Sequence, residues 1–317
     1  MTRAPIAKPT LGDLTMKYLA TTALAALLAT SAVAGDWTQD YQVIKFGILS
    51  GENEKDRIAR YTPFEEYLER ELGVEVEIFT AGAYDGVIQA LAADQIEFAF
   101  LGSSSYAAAY TATDGAVEPL VTRLRKDGSS GYFSVVVTRC EDGYSKLADL
   151  EGKVLAFADP DSTSGYAVPY FNIAKEVNPK TFFEAIPFSG SHEAGVAGVA
   201  QGTFDAAATW QNNPTDGRWQ RMIEKEMIAE GEICPIWESP EITSGPFTAR
   251  ANLPQGLKDT MQQMVMDVAE KDPEAFQAMI GEVEGTPNPQ VDWQATNHER
   301  YQWIVDMRDW LKKQRRS

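Results

Sequence analysis

The chain has few of the side chains that bind metals or build catalytic clusters. It contains two cysteines and two histidines among 317 residues, with no CxxC pair. We therefore predict no metal site and no cofactor. Positive charge is also scarce, because 28 lysines and arginines face 46 aspartates and glutamates, for a formal net charge of −18. A field this negative argues against nucleic acid or anionic lipid as a partner.

The apolar run near the N-terminus is too short to cross a bilayer, for which about 20 residues are needed. It covers residues 19–28, follows Met16 and Lys17, and precedes the small-x-small pattern AVA at 32–34. This is typical of a cleavable signal peptide, with a retained anchor as the alternative. We expect residues 1–34 to be a leader and signal peptide, with Met16 as the true start. The mature protein is then periplasmic.

An exported protein can form disulfides. Cys140 and Cys234 each flank an apolar run that is typical of a strand, at 132–138 and 233–237. A bond between these two cysteines is therefore a hypothesis, and two separate thiols are the alternative.

Strand-like and helix-like runs alternate along the chain after the leader. The sequence predicts strands at 43–49, 74–80, 98–101, 132–138, 153–157 and 206–209, and helices at 61–72, 84–93, 105–113, 166–177 and 299–313. This βαβα order indicates an α/β fold with parallel sheets and helices on both faces. A chain of 317 residues also exceeds the usual size of one hydrophobic core, so we expect two lobes.

Three polar clusters follow predicted strands, at 102–105, 159–164 and 210–213. In parallel α/β sheets, ligands bind at the carboxyl ends of strands. The second cluster contains Ser162, Thr163 and Ser164 directly before a helix-like run. Hydroxyls and the free N–H groups of a helix start together form a seat for a tetrahedral oxyanion, whereas an ordinary helix cap is the alternative. Because the overall field repels anions, such a seat must be built locally from neutral dipoles and short hydrogen bonds.

Several short motifs, in order, resemble the solute-binding proteins of phosphonate, phosphite and phosphate ABC importers, the PhnD-like family. The motifs are FGILS at 46–50, YTPF at 61–64, AYDG at 83–86, DGSSGY at 127–132, DPDSTSG at 159–165, GSHE at 190–193 and WESP at 237–240. The resemblance runs over nearly all of the chain after the leader, and DPDSTSG is its most specific part.

The resemblance implies a two-lobed type II periplasmic-binding-protein fold with mixed, mostly parallel sheets flanked by helices. A ligand cleft would lie between the lobes. Lobe 1 would comprise residues 35–133 plus 245–317, and lobe 2 would comprise residues 134–244.

The resemblance also implies binding roles, position by position. His192 would reach the anion from lobe 2, and its charged form would be favoured near a dianion. The other donors are uncharged hydroxyl and N–H groups, which suit an ionised oxyanion. They belong to Tyr84, Tyr132, Ser162, Thr163 and Ser164.

Two acidic positions of the family are missing here. In relatives that take aminoalkylphosphonates, two carboxylates hold the ammonium of the ligand. By spacing, Asn212 or Asn213 stands at the first of these positions and Gly245 at the second. An ammonium buried without a carboxylate is unfavourable. We therefore predict phosphate, phosphite or a phosphonate with a small neutral tail, such as methylphosphonate, with Trp210 as a candidate to close the tail end of the pocket.

The implied function is capture of a small phosphorus oxyanion and its delivery to the membrane permease subunits of an ABC importer. The protein would act as a monomer and would not be an enzyme.

Three alternatives stay open at this point. Ser162, His192 and Asp205 could form a hydrolase triad, although no GxSxG elbow is present. The protein could be a periplasmic partner of a sensor kinase, which would look the same in sequence. A sulfonate or another oxyanion could occupy the hydroxyl-rich pocket.

Overall fold

The computed structural model describes residues 36–126, 128–281 and 290–316. The predicted leader and signal peptide at 1–34 lie outside this range, as does Asp127 of the DGSSGY motif. Within the described residues, no helix combines the length and apolar character needed to cross a membrane.

Strands and helices alternate through the described chain. The strands are β1 (Val43–Ile48), β2 (Glu75–Thr80), β3 (Phe98–Phe100), β4 (Val117–Arg125), β5 (Gly131–Arg139), β6 (Leu155–Ala156), β7 (Ala206–Asn213), β8 (Asp216–Gly217), β9 (Ile233–Glu238), β10 (Ile242–Thr243), β11 (Phe247–Arg250) and β12 (Gln290–Ala295). The helices are α1 (Glu54–Leu72), α2 (Tyr84–Ala92), α3 (Ser103–Ala112), α4 (Val168–Glu176), α5 (Pro179–Phe182), α6 (His192–Ala200), α7 (Arg218–Glu224), α8 (Gln255–Lys271), α9 (Pro273–Ile280) and α10 (Gln302–Arg316).

The strands form two mixed sheets. The first has the order β12-β4-β11-β3-β1-β2, and the second has the order β10-β5-β7-β6, with β9 beside β5 and β8 beside β7. The chain passes between the sheets after β4 and returns after β10. The predicted α/β class with two helix-flanked sheets is confirmed, while the lobe boundaries at 133–134 and 244–245 stay a prediction.

The expectation of mostly parallel pairing is not met in the described part of the chain. Among the named strands, parallel pairing joins β1 to β2, β1 to β3 and β6 to β7. The other pairs are antiparallel, including β11 with β3 and β4, and β5 with β7, β9 and β10. The crossing between sheets accounts for two of these pairs, because β4 and β11, and likewise β5 and β10, are outgoing and incoming strands that lie side by side.

Helix α1 begins at Glu54, well before its predicted start at residue 61. Asn53 caps it, because the Asn53 side chain accepts a hydrogen bond of 3.0 Å from the Asp56 N–H. Gly73 ends the helix in the left-handed conformation, with φ of 70°. Pro63 therefore lies inside the helix and not in its first turn.

Hydrophobic clusters hold the two sheets and their helices together. One lies between the first sheet and α1, α8 and α9, and includes the fully buried Phe46, Phe64 and Phe98. Another cluster contains residues of α2, α3, α4 and α10. The α10 residues Ile304 and Leu311 are buried in it. The predicted C-terminal helix is confirmed, and its structure covers Gln302–Arg316. This arrangement places the ends of β1 and β3 opposite the segment that follows β6.

Cys140 and Cys234 are joined in a disulfide, with their Cα atoms 5.0 Å apart. The bond connects the end of β5 to its neighbour β9, where Thr138 pairs with Cys234.

Candidate functional site

A cavity of about 200 Å³ lies between the two sheets. All seven residues that the sequence analysis selected line it: Tyr84, Tyr132, Ser162, Thr163, Ser164, His192 and Asn212. The structure therefore brings these residues together, whereas their contacts with a ligand stay a prediction. Leu49, Leu101 and Gly102 line the cavity just beyond the ends of β1 and β3, where ligand sites of α/β sheets are expected.

The three hydroxyl residues at 162–164, called the hydroxyl turn from here on, open a π-helical turn over Thr163–Ala167. Ser162 is its N-cap, because the Ser162 Oγ accepts a hydrogen bond of 3.0 Å from the Gly165 N–H. A side chain at Gly165 would meet the Ser162 Oγ and the His192 Cε1, each at 2.8 Å. A glycine is therefore required for the turn to pack this close to the histidine.

Residues of α3 and β5 hold the hydroxyl turn in place. The Ser104 N–H at the start of α3 donates a hydrogen bond of 2.8 Å to the Thr163 Oγ1. The Ser134 Oγ on β5 donates one of 2.6 Å to the Ser164 carbonyl. The Thr163 oxygen acts as an acceptor in the first of these bonds, so its O–H remains able to donate. The turn is thus fixed from behind while its hydroxyls line the cavity.

His192 is buried and bonded at both ring nitrogens. Its Nε2 lies 3.1 Å from the Ser162 Oγ and its Nδ1 lies 3.2 Å from the Thr209 Oγ1. Burial lowers the pKa of His192 to about 3, and the nearby Arg218 adds to the effect. The imidazole is therefore neutral at pH 7, and a charged form favoured by a nearby dianion stays a prediction. When Nε2 carries the proton, it donates to Ser162 and leaves the Ser162 O–H free to donate into the cavity.

Two of the phenols that line the cavity, Tyr84 and Tyr132, remain protonated at neutral pH. Burial raises the pKa of Tyr84, and the negative charge of Asp159 raises it further. Burial also raises the pKa of Tyr132, although the hydroxyls of Ser164 and Thr163 act in the opposite direction. Both phenols can therefore donate hydrogen bonds to an anion.

Asn212 lines the cavity with its side chain held by neighbours. Its Nδ2 donates a hydrogen bond of 2.7 Å to Asp216, and its Oδ1 accepts one of 3.1 Å from Arg125. Asp216 is buried and also forms an ion pair of 2.9 Å with Arg221. Asp216, the next acid along the chain after Asn212, is therefore already neutralised by an arginine.

Gly245 lies against the backbone at the end of β3. A Cβ atom at this position would come within 1.9 Å of the Leu101 carbonyl oxygen and 2.5 Å of the Gly102 Cα. Backbone atoms cannot move aside as a flexible side chain can. The position therefore accepts no side chain, and a carboxylate is excluded on steric grounds.

The sequence analysis missed the arginines of the site. The charged residues that line the cavity are Glu52 and four arginines, Arg60, Arg123, Arg218 and Arg221. The expectation of an anion seat built from neutral dipoles stays a prediction for the hydroxyl turn, while the cavity as a whole also contains cationic side chains. Arg218 and Arg221 follow the polar cluster at 210–213 by a few residues, which was the available signal in the sequence.

Glu52 is held between these cations. Burial alone would raise the pKa of Glu52, but Arg60, Arg218 and Lys225 bring it down to about 2. The carboxylate is therefore ionised and is matched by the arginines, 2.7 Å from Arg60 and 3.4 Å from Arg218. Within the described residues, no cluster of histidine, cysteine and acidic side chains could hold a metal ion.

Comparisons with known proteins show the family of the chain. The matching family model is described as "ABC transporter, phosphonate, periplasmic substrate-binding protein" and covers residues 46–286. The chain is 30% identical over 258 residues to the phosphonates-binding periplasmic protein of Escherichia coli. The alignment covers 79% of this chain and 74% of that protein. It is 29% identical over 269 residues to the phosphate-import protein PhnD of Mycolicibacterium smegmatis, with 78% and 80% covered.

Solved structures show the same fold. PhnD1 from Prochlorococcus marinus in complex with methylphosphonate gives a TM-score of 0.73 at 20% identity, over 86% of this chain and 99% of that one. The family consists of transport components that bind substrates, which confirms the prediction that the chain is not an enzyme. The protein belongs to the family of periplasmic substrate-binding proteins of phosphonate ABC transporters.

Proposed function

We propose that this protein captures an amine-free phosphorus oxyanion in the cleft and delivers it to the membrane permease of an ABC importer. The oxyanion would contact the hydroxyl turn, the phenols of Tyr84 and Tyr132, and His192. The observation that carries the proposal is that no free carboxylate is present at the two positions where aminoalkylphosphonate-binding relatives hold an ammonium. Gly245 has no room for a carboxylate, and Asn212 stands before an acid that is already paired.

The charges of the cleft support the same proposal. An ammonium would face four arginines and one glutamate, and that glutamate is already paired with Arg60 and Arg218. A cation desolvated among like charges is strongly disfavoured. A phosphorus oxyanion gains from the same field, which acts locally although the chain as a whole is negative.

Contacts across the cleft support delivery by lobe closure. Asn53 before α1 donates a hydrogen bond of 3.2 Å to Glu193 on α6, and Lys225 lies 2.7 Å from Asp56. An anion that bridges the two sheets stabilises this closed arrangement by its differential affinity for it. The permease would then recognise the closed monomer.

Isothermal titration calorimetry with purified protein tests the proposal. We expect phosphite, phosphate or methylphosphonate to bind more tightly than 2-aminoethylphosphonate. The result that would contradict the proposal is clearly tighter binding of 2-aminoethylphosphonate than of the three amine-free ligands.

A further inference from the structure

The cavity has a second part beyond the hydroxyl turn. We call it the tail subsite and define it by Tyr61, Phe100, Arg123, Trp210 and Trp293, all of which line the cavity. Its aromatic rings form a continuous wall, with centroids 5.4 Å apart for Tyr61 and Phe100 and 5.8 Å apart for Phe100 and Trp293. On the other side, the Arg221 guanidinium lies 4.9 Å from the centre of the Trp210 ring.

Three of the four arginines that line the cavity have acidic partners. Arg60 lies 2.7 Å from Glu52, and Arg218 lies 3.4 Å from the same carboxylate. Arg221 lies 2.9 Å from Asp216. These ion pairs offset the unfavourable free energy of burying three positive charges.

Arg123 differs from the other three. No hydrogen bond or ion pair reaches its guanidinium from any residue that the structure describes. Its side chain is half-buried in the wall of the cavity. Burial lowers the pKa of Arg123, and the positive charges of Arg221 and Arg60 contribute to the lowering. A desolvated cation surrounded by like charge is unfavourable until an anion arrives to pair with it.

The position of Arg123 relates it to the predicted seat of the phosphorus group. It lies on β4, in register with Trp293 on β12. The phenols that influence it are Tyr61 of the tail subsite and Tyr132, which borders the hydroxyl turn. Arg123 and the hydroxyl turn line the same cavity, and its volume of about 200 Å³ leaves room for only a short connection between them.

Building on the proposed function, we propose that the ligand of this protein is a phosphonate with a second acidic group on a short tail, and that Arg123 pairs with that second group. This goes beyond the neutral tail expected from the sequence. The planar fork of a guanidinium matches a carboxylate or a phosphoryl group with two parallel hydrogen bonds. A methyl group would leave Arg123 without a partner, and an ammonium would repel it.

Calorimetry with three ligands and three proteins tests this inference. The first ligand is methylphosphonate, which has no second acidic group. Phosphonoacetate adds a carboxylate, and methylenediphosphonate adds a second phosphoryl group. The proteins are the native chain, Arg123→Gln and the surface control Arg70→Gln, which removes an arginine paired with Asp272 at the protein surface. We expect one of the two diacids to bind the native protein at least about tenfold more tightly than methylphosphonate.

The variants locate the effect. Arg123→Gln should remove the preference for the diacid, because the diacid should lose at least about tenfold more affinity than methylphosphonate loses. Arg70→Gln should retain both affinities. A preference for phosphonoacetate identifies the tail group as a carboxylate, and one for methylenediphosphonate identifies it as a phosphoryl group. Should Arg123→Gln fail to fold, Arg123→Lys replaces it, because a lysine keeps the charge but loses the fork and should retain only part of the preference.

Failure of this inference is distinct from failure of the proposed function. If methylphosphonate binds the native protein as tightly as both diacids, the second acidic group is wrong while the proposed function stands. Equal weakening of all three ligands in Arg123→Gln would place Arg123 at the phosphonate head and would also overturn the inference. If none of the three ligands, nor phosphite or phosphate, binds the native protein, the proposed function itself fails.

Discussion

The Oγ of Ser162 and the Nε2 of His192 lie 3.1 Å apart and join the hydroxyl turn to the first residue of α6. Because the Nδ1 of His192 contacts Thr209 at 3.2 Å, the imidazole is fixed at both ends. The histidine therefore orients the serine hydroxyl, in addition to any contact of its own with a ligand. Two residues that the sequence analysis treated as separate donors form one hydrogen-bonded unit.

Replacement of Ser162 by alanine should weaken anion binding and reduce stability slightly. A hydrogen bond to a charged group contributes about 1.5–3 kcal/mol, so we expect the dissociation constant to rise by at least about tenfold. The lost cap of the π-helical turn should lower the free energy of unfolding by about 1 kcal/mol. Calorimetry and urea denaturation measure the two effects.

A matched control separates the two effects of the Ser162 variant. Asn178→Ala removes another helix cap, in which the Asn178 side chain accepts a hydrogen bond of 3.1 Å from the Lys180 N–H outside the cavity. This variant should lose a similar amount of stability and keep its affinity. Unchanged affinity in Ser162→Ala would mean that the anion seat has been misplaced.

His192 should make the protein sensitive to mild acid. Its pKa is about 3 in the folded protein and 6.5 in the reference state, so the unfolded chain binds a proton first as the pH falls. The contribution of neutral His192 is fully present above pH 6.5 and decreases toward pH 3, by about 1.4 kcal/mol per pH unit. Denaturant titrations at pH 7, 6 and 5 should show this slope, and His192→Gln should reduce it. An identical slope in the variant would contradict the assignment.

Introduction of an acid at Gly245 should destabilise the fold and not create an ammonium site. In Gly245→Asp the new Cβ would lie 1.9 Å from the Leu101 carbonyl oxygen, so the backbone at the end of β3 must shift. Overpacking of this kind reduces stability by about 1–3 kcal/mol or more. Gly82→Asp is the control, because a Cβ at Gly82 meets no atom within 4 Å. Equal melting temperatures for the two variants would show that Gly245 has more room than the structure indicates.

Reduction of the disulfide should lower stability without affecting the ligand site. Cys140 and Cys234 are 94 residues apart in sequence, so their bond closes a long loop of the unfolded chain. Loss of such a bond typically reduces the free energy of unfolding by about 2–4 kcal/mol. Denaturation with and without a reductant measures the difference, and a variant with both cysteines changed to serine should not respond to the reductant. A native protein that is equally stable in both conditions would contradict this prediction.

The parts of the site that could be predicted from the sequence are those in which the chemistry lies within one short segment. The hydroxyl turn is three consecutive hydroxyl residues before a helix, and Ser162 caps that helix start as its residue type suggests. The sequence also shows directly that residues 212 and 245 are an asparagine and a glycine and not acids. The α/β class followed from the alternation of apolar runs, since that pattern depends on local periodicity.

The parts that could not be predicted depend on contacts between distant segments. Arg123 lies near the end of β4, a strand that the sequence analysis did not predict and whose last residues are largely basic. Whether an arginine has an acidic partner depends on the tertiary fold, as for Arg60 with Glu52. The neutral state of His192 likewise results from burial among residues of several elements.

A thermal-shift panel of phosphorus and sulfur oxyanions tests the central proposal most directly. Binding to the folded state stabilises it by about 2.7 kcal/mol when the ligand is at a hundredfold excess over its dissociation constant. We expect a clear rise in melting temperature with at least one amine-free phosphorus oxyanion, and little or none with methanesulfonate, sulfate or 2-aminoethylphosphonate. A larger rise with a sulfur oxyanion or with 2-aminoethylphosphonate than with every amine-free phosphorus compound would contradict the proposed function.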